Sequence, residues 1–446
     1  MQWTSLLSAE RVCDPKYVEG QNRSIFVQDH DRIIFSAPFR RLANKTQVHP
    51  LYDHDHIHHR LIHSVEVSSV GRSLAMRIGH WLIEQGEIAE GDDHLLANIV
   101  QAACAAHDIG NPPFGHSGEA AIGDWFREKF SEGAGLFADA GQGLQAELTA
   151  FEGNAQGFRI LTRLEMYRNE GGMRLSKAVL GAFMKYPVTA GTRVALPEKT
   201  PPYAGLKKFG LFQSEAAIFA DAAHSLGLPE ENSDAGRWWR RHPLVFLVEA
   251  ADDICYNIVD LEDAFTSGGL PFDVVRDRLN TLANQTNRDT AGMTQAEQIA
   301  LLRALAIGSA ISVCVEAFKE NYAAIMDGTF SEALIDASAR AEAFRAIKAL
   351  ARDRIFTSAR KTELEILGRK VIRNVMDEVL PVYEAMAAQG WQAEALPDHA
   401  AQIARALSLD LRDIDAPDKA LHGLADFVSG MTDRYALRMS RLFSAA

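Results

Sequence analysis

The sequence predicts an all-α fold, and three observations predict it. Long Val/Ile/Thr alternations, the mark of strands, are scarce. Stretches rich in Ala, Leu, Glu and Arg run through most of the 446 residues, and these are strong helix formers apart from their occasional glycines. Apolar residues recur at helical spacing, as in Leu61, Ile62, Val65, Val70, Leu74, Ala75 and Ile78.

Taken in order, the segment from Gln28 to Pro50 is basic and turn-rich, and YDHDHIHHR is a polar approach to a helix beginning near Arg60. That helix carries the apolar stripe above and reaches about Leu82. Leu95 to His107 is a second helix, apolar enough to be buried; it stops at Gly110 and Pro112-Pro113, because proline cannot continue a helix. Residues 131–146 are Gly/Ala-rich and read as a loop or weak helix. Helices resume near Asn154 and Ser176, Lys185-Tyr186-Pro187 is a break, and Ala190 to Gly210 is a Pro- and Gly-bearing loop. Pro243 stands where a first helical residue would, opening the most apolar helix, PLVFLVEAADDICYNIVDLEDAF, which Ser267-Gly268-Gly269 ends. Ala300–Ala323, Ala333–Lys348 and Glu363–Leu380 read as helices, with Pro381 expected to end or kink the last. A final helix follows Pro417-Asp418. No repeat or low-complexity tail is visible. The best division is a basic N-terminal segment (1–59), a helical core (60–270) and a helical C-terminal region (271–446).

Acidic residues outnumber basic ones 59 to 46, a formal charge of -13. That argues against a generic polyanion binder, so any phosphate chemistry needs a local basic pocket. Cys13, Cys104, Cys255 and Cys314 form no CxxC pair, and three of them sit in apolar helical stretches, as buried free thiols do in a reducing compartment. Glu10 and Arg11 follow Leu6-Leu7 too closely for a signal peptide. The apolar stretches Leu95–His107 and Ala304–Val315 fall short of the roughly 20 residues that span a bilayer. A cytoplasmic protein without membrane partners is expected.

Eleven of the 15 histidines lie between His30 and His116, a clustering that asks for chemistry. His63 sits in one helix, His107-Asp108 ends another, and Asp252 sits in the third strongly apolar one. Two imidazoles and two carboxylates suit a hard to borderline divalent cation with open positions for water. An unpaired Asp in such apolar helices is costly, and a cation removes that cost. Taken singly, each His reads equally as a hydrogen-bonded core residue and each Asp as a cap. In HDIGNPPFGHSGE, His116 and Glu119 stand at i and i+3 on one helical face, so the carboxylate can orient the imidazole as a general acid/base pair. The competing reading is an N-terminal cap.

The spaced set H…HD…D resembles the HD-domain metal-dependent phosphohydrolases. RLIHSVEVSSVGRSLA, AAHDIGNPPFGHSGEAA, FEGNAQGFRILTRLE and EAADDICYNIVDLEDA each look like segments of the bacterial deoxyguanosine triphosphate triphosphohydrolases (dGTPases). FRRLANKTQV and DFVSGMTDRYA are similar too, so matching blocks run from about residue 39 to 436. The resemblance implies His63, His107, Asp108 and Asp252 as metal ligands, with Mn2+ or Mg2+ as the ion and Co2+ as a third candidate. The doublet Asp252-Asp253 is ambiguous by inspection; Asp252 is preferred because it lies four residues before Tyr256, on the same helical face. It implies His116 and Glu119 as the catalytic pair, Arg60 as a triphosphate contact, and Gln47 and Val48 as residues near base and sugar. Lys185 and Tyr186 match a phosphate-contacting pair, Tyr256 a sugar contact and Arg434 a C-terminal arginine near the nucleotide. Asn111 departs from the second histidine many members carry, a departure also found in one branch of the family.

The implied reaction is hydrolysis of dGTP to deoxyguanosine and tripolyphosphate by metal-assisted attack at the α-phosphorus. Arg40, Arg41, Lys45, Arg60 and Lys185 are the cations that can supply the positive field the net charge denies. The alternatives are a broad dNTP triphosphohydrolase, an HD phosphohydrolase on another nucleotide phosphoester, and a nucleic-acid-binding scaffold with a degenerate core. The resemblance also implies a homo-oligomer, commonly a hexamer, and a link to single-stranded DNA, although no basic stripe interleaved with aromatics appears.

Overall fold

A computed structural model describes the chain except residues 18–22, 47–58, 199, 201, 285–289, 356, 358 and 445–446. The described residues are predominantly helical, as predicted; their one sheet is an antiparallel hairpin, Glu230–Ser233 with Gly236–Trp239. The helices that matter to the site are α1 (Ile25–Ile34), α2 (Arg60–Glu84), α3 (Asp92–Ala106), α4 (Gly115–Glu132), α5 (Val245–Thr266), α6 (Gln295–Glu320), α7 (Ala359–Ala388), α8 (Pro417–Ser429) and α9 (Asp433–Ser444).

Helices α2 and α3 pack side by side because two glycines of α2 let them approach. A Cβ on Gly71 would strike Cys104 Sγ, and one on Gly79 would strike the Asp93 backbone. The buried face of α2 runs through His63, Val67, Val70, Leu74 and Ile78. Ile62 and Val65 stand outside that stripe, 41% and 54% exposed, so the apolar reading of both residues was right for helix and wrong for side. At the foot of α3 the turn at Gly110 packs onto the backbone of Gly153 and Gly157, where no Cβ fits.

The buried apolar side chains form two clusters. The larger takes residues from Trp3 to Ile355 and includes α1, α2, α3, α5 and α6. The second joins α4 to α7, α8 and α9 through Trp125, Phe126, Val375, Tyr383, Leu424 and Met439. Arg159 ties the helix Gly153–Arg159 to α8: it grips Asp426 through two nitrogens at 2.9 Å and Glu215 at 3.0 Å. The chemical residues lie where the two clusters face each other.

Several local expectations change. The N-terminal segment contains α1, started by Ser24 accepting from the Phe26 N–H, and a short helix Ala37–Arg41. Residues 131–146 include the end of α4 and the start of a helix Gln142–Thr149, and the loop after 190 opens with a helix Ala190–Ala195 that Thr189 caps. Helix α5 begins two residues after Pro243; there His242 Nδ1 accepts from the Leu244 N–H at 3.1 Å while Nε2 meets the Leu6 carbonyl at 3.1 Å. Residues 333–348 are split into Leu334–Ala337 and Ala341–Leu350. Pro381 lies inside α7 without ending it, since Val379, Val382, Tyr383 and Met386 are buried around it and hold the helix through the missing N–H. Two further helices, Asp398–Leu407 and α9, bracket the one expected after Pro417.

Helix α6, which contains the stretch Ala304–Val315, is the one described helix long and apolar enough by length and composition to cross a membrane. Its Ile299, Leu302, Ala306, Ala310, Cys314 and Phe318 form one stripe buried against the larger cluster, as in a helix packed by one face on a core.

Candidate active site and metal centre

Helix α2 delivers its first turn to the site. His59 caps it, and Arg60 and His63, three residues apart, both point inward and are buried. Helix α3 ends at His107, whose Nδ1 lies 2.7 Å from the Cys104 carbonyl. A carbonyl only accepts, so Nδ1 donates and Nε2 is the nitrogen turned to the site. That Nε2 is buried without a hydrogen-bond partner. It faces carboxylate oxygens of Asp108 and Asp252, each 3.6 Å away. An imidazole nitrogen and two carboxylates converging on one point make a mixed N/O donor set of the kind that holds a divalent ion.

The rest of the donor set agrees. His63, His107 and Asp108 each offer a ligand atom within 4.8 Å of the others. Asp252, one turn before Tyr256 on α5, joins through its Oδ1, 3.0 Å from His63 Nε2. Burial would raise the Asp108 carboxyl, but Arg60, His107 and His63 outweigh it and hold it at about 2. Burial is outweighed at Asp252 too, chiefly by His107 and His63, which keep it far below the usual carboxylate range. Both carboxylates are therefore charged and ready to ligate at neutral pH. The residues present fit a divalent ion.

Asp108 is also steered from outside the cluster. Arg60 Nη1 donates to its Oδ2 at 2.6 Å and Asn111 Nδ2 donates to its Oδ1. Asn111 thus serves the ligand carboxylate, a role its position three residues later in the HDIGN turn allows.

His116 and Glu119 meet as expected, Nδ1 to Oε2 at 2.7 Å. Glu119 is buried and its other oxygen accepts from the Gly153 N–H at 2.8 Å, so the carboxylate is fixed from behind. The His116 side chain is 85% exposed. Helix α4 starts at Phe114, in the left-handed conformation and with no side-chain cap, so the pair is not a capping box.

All of these groups but His63 line one cavity of about 370 Å³, together with Lys185, Tyr186 and Tyr256. Lys185 Nζ is 3.3 Å from Glu249 of α5 and 5.7 Å from the centre of the Tyr186 ring. Of the five cations expected to make the positive field, Arg60 and Lys185 line the cavity. Arg40 is exposed and donates to the Phe35 carbonyl, and Arg41 lines a different cavity. Lys45 is buried and donates to the carbonyls of Asn111 and Ser429; burial, then the Arg41 charge, pulls it down to about 7. Their places at the cavity are taken by Lys208 and Lys361. Lys208 lies within the Pro- and Gly-bearing stretch and Lys361 comes more than a hundred residues after Asp252, so neither had a local signal beyond its charge.

Arg434 is exposed on α9 and does not line this cavity; its neighbour Asp433 reaches the rim, accepting from the Phe114 N–H at 2.9 Å and the Thr46 N–H at 3.1 Å. Gln47 and Val48 lie outside the described residues.

Residues 60–150 match the HD domain. Over 457 aligned residues the chain is 40% identical to a deoxyguanosinetriphosphate triphosphohydrolase-like protein of Pseudomonas aeruginosa, covering 99% of this chain and 98% of that one. It is 37% identical to a protein of the same description from Synechocystis, with 98% and 97% covered. It is 32% identical to a deoxyguanosinetriphosphate triphosphohydrolase of Salmonella paratyphi A over 80% of this chain and 77% of the other.

Proposed function

Because this chain belongs to the HD-domain dGTPase family, whose chemistry is metal-dependent hydrolysis of phosphoric esters, we propose that it hydrolyses dGTP to deoxyguanosine and tripolyphosphate. The observation that carries this reading is the cavity itself, which sets His107, Asp108 and Asp252, with His63 directly behind them, beside Arg60, Lys185, Lys208 and Lys361. A substrate with about four negative charges needs such cations in a protein of net charge -13; Glu152 holds Lys208 at 2.7 Å and Glu365 stands 3.8 Å from Lys361.

A divalent ion held by His63, His107, Asp108 and Asp252 supplies Lewis-acid polarisation of the α-phosphate and a lower pKa for the attacking water. Lys185, Lys208 and Lys361 bind and orient the triphosphate, while Arg60 bridges Asp108 and the phosphate side of the cavity. His116, exposed to the cavity and oriented by Glu119, orients the attacking water or gives a proton to the departing 5′-oxygen. Tyr256, on the same face of α5 as Asp252, lies under the sugar and leaves no room for a 2′-hydroxyl.

The test is product identity on the four dNTPs and GTP with Mn2+ or Mg2+, wild type beside Asp252→Ala and His116→Ala. Tripolyphosphate and deoxyguanosine from dGTP, lost in both variants, is the expected result. Equal turnover of all four dNTPs would move the function to a broad triphosphohydrolase; orthophosphate or pyrophosphate as the product would overturn the bond assignment. Tyr256→Ala is expected to erode the preference for dGTP over GTP.

A further inference from the structure

Behind the cationic wall lies a second layer of charge. Glu249 lines the cavity one turn before Asp252, and its Oε1 is 3.3 Å from Lys185 Nζ. Alone, Glu249 would neutralise Lys185 and present a carboxylate to an incoming polyanion. Its other oxygen, Oε2, accepts from Arg241 Nη2. Arg241 is 1% exposed, does not line the cavity, and sits over the Phe246 ring at 4.7 Å from its centre. Its Nε and Nη1 are buried without partners. A fully buried guanidinium with two idle nitrogens is an expensive way to hold a helix, since an apolar residue of similar volume would pack there at no such cost. The three charges sum to +1, whereas the pair without Arg241 sums to zero.

We infer that Arg241 is a positioning residue that offsets Glu249, leaving Lys185 in place and its charge available to the triphosphate. Glu249 fixes where the ammonium stands, and Arg241 cancels what that fixing would otherwise cost in attraction for substrate. The role lies in charge and not in contact, because Arg241 never reaches the cavity. This rests on the reading of Lys185 as a phosphate contact.

The probe is tripolyphosphate, titrated calorimetrically into the full-length protein in excess Mg2+. Arg241→Met is expected to bind it about tenfold more weakly, the order of effect of one unit charge acting through protein on a polyanion nearby. Arg241→Met combined with Glu249→Gln removes both opposed charges and is expected to return binding to within about twofold of wild type. A structural role for Arg241 predicts no such rescue, and a double variant as weak as the single one overturns the inference. Lys185→Gln separates the two layers. If it leaves binding unchanged, the phosphate reading of Lys185 fails; if it weakens binding while Arg241→Met does not, the reading stands and the inference falls. Should Arg241→Met not fold, Glu249→Gln alone decides: a wall with one more net positive charge is expected to bind tripolyphosphate more tightly, and unchanged or weaker binding overturns the proposal.

Discussion

His242 makes the stability of this protein depend on pH in a window that can be worked out from two hydrogen bonds. The ring is fully buried between the Leu6 carbonyl, to which Nε2–H donates, and the Leu244 N–H, which donates to Nδ1. A neutral ring satisfies both; a protonated one points an N–H at an N–H. Burial, opposed only by the Leu6 bond, lowers its pKa to about 4, against 6.5 for an exposed histidine. Between those values the unfolded chain binds the proton and the folded one does not, so stability is complete above pH 6.5 and falls as pH drops towards 4. At pH 4.5 the loss, RT times the logarithm of the ratio of the two binding polynomials, is about 2.5 kcal/mol. The assay is urea unfolding of wild type and His242→Gln at pH 7.5 and at pH 4.5. Glutamine keeps a donor and an acceptor but does not titrate, so carboxylate contributions common to both proteins cancel. Wild type is expected to lose about 2.5 kcal/mol more than the variant on acidification. Parallel losses would refute the argument. The consequence reaches the site, because Leu244 begins the helix that carries Glu249, Asp252 and Tyr256.

Three further outcomes follow from the same geometry. Saturating Mn2+ is expected to raise the midpoint of thermal unfolding of wild type and not of His107→Ala, by the equivalent of about 3 kcal/mol when the ion is a hundredfold above its Kd; calorimetric melts check it. Glu119→Gln keeps a hydrogen bond to the Gly153 N–H but loses the charge beside His116, and is expected to lower kcat by about a hundredfold with little change in KM, read in steady-state kinetics. Gly110→Ala drives a methyl into the Gly153 and Gly157 backbone and is expected to cost about 3 kcal/mol or more, measured by chemical unfolding; a loss below about 1 kcal/mol would mean the turn can move aside.

The parts of the site legible in the sequence were those whose chemistry is written locally. The i,i+3 spacing of His116 and Glu119 and the i,i+4 spacing of Asp252 and Tyr256 survive folding because a helix turns such spacings into a shared face, and His107-Asp108 stay together as neighbours in the turn that ends α3. The parts that were missed depend on where distant segments meet. Lys208 and Lys361 were indistinguishable from surface lysines, and Lys45, read as one source of the positive field, is consumed by two backbone carbonyls inside the protein. The same distinction explains the fold. Helical class follows from composition, whereas Pro381 within α7 and the outward Ile62 and Val65 are decided by what packs against them.

The two bonds that Asp433 makes at the cavity rim join residues 319 and 387 positions apart in the chain. Loops of that size close late, since many shorter contacts must form before their entropic cost is met. During synthesis the helices that carry His63, His107 and Asp252 are therefore made before the segment that closes the rim. The residues that match the HD domain end at 150 and hold neither Asp252 nor any lysine of the cavity wall. A chain cut at residue 150 would therefore carry His63, His107 and Asp108 without the acid and the lysines that complete the cavity, and the two bonds of Asp433 wait for the last helix to be made.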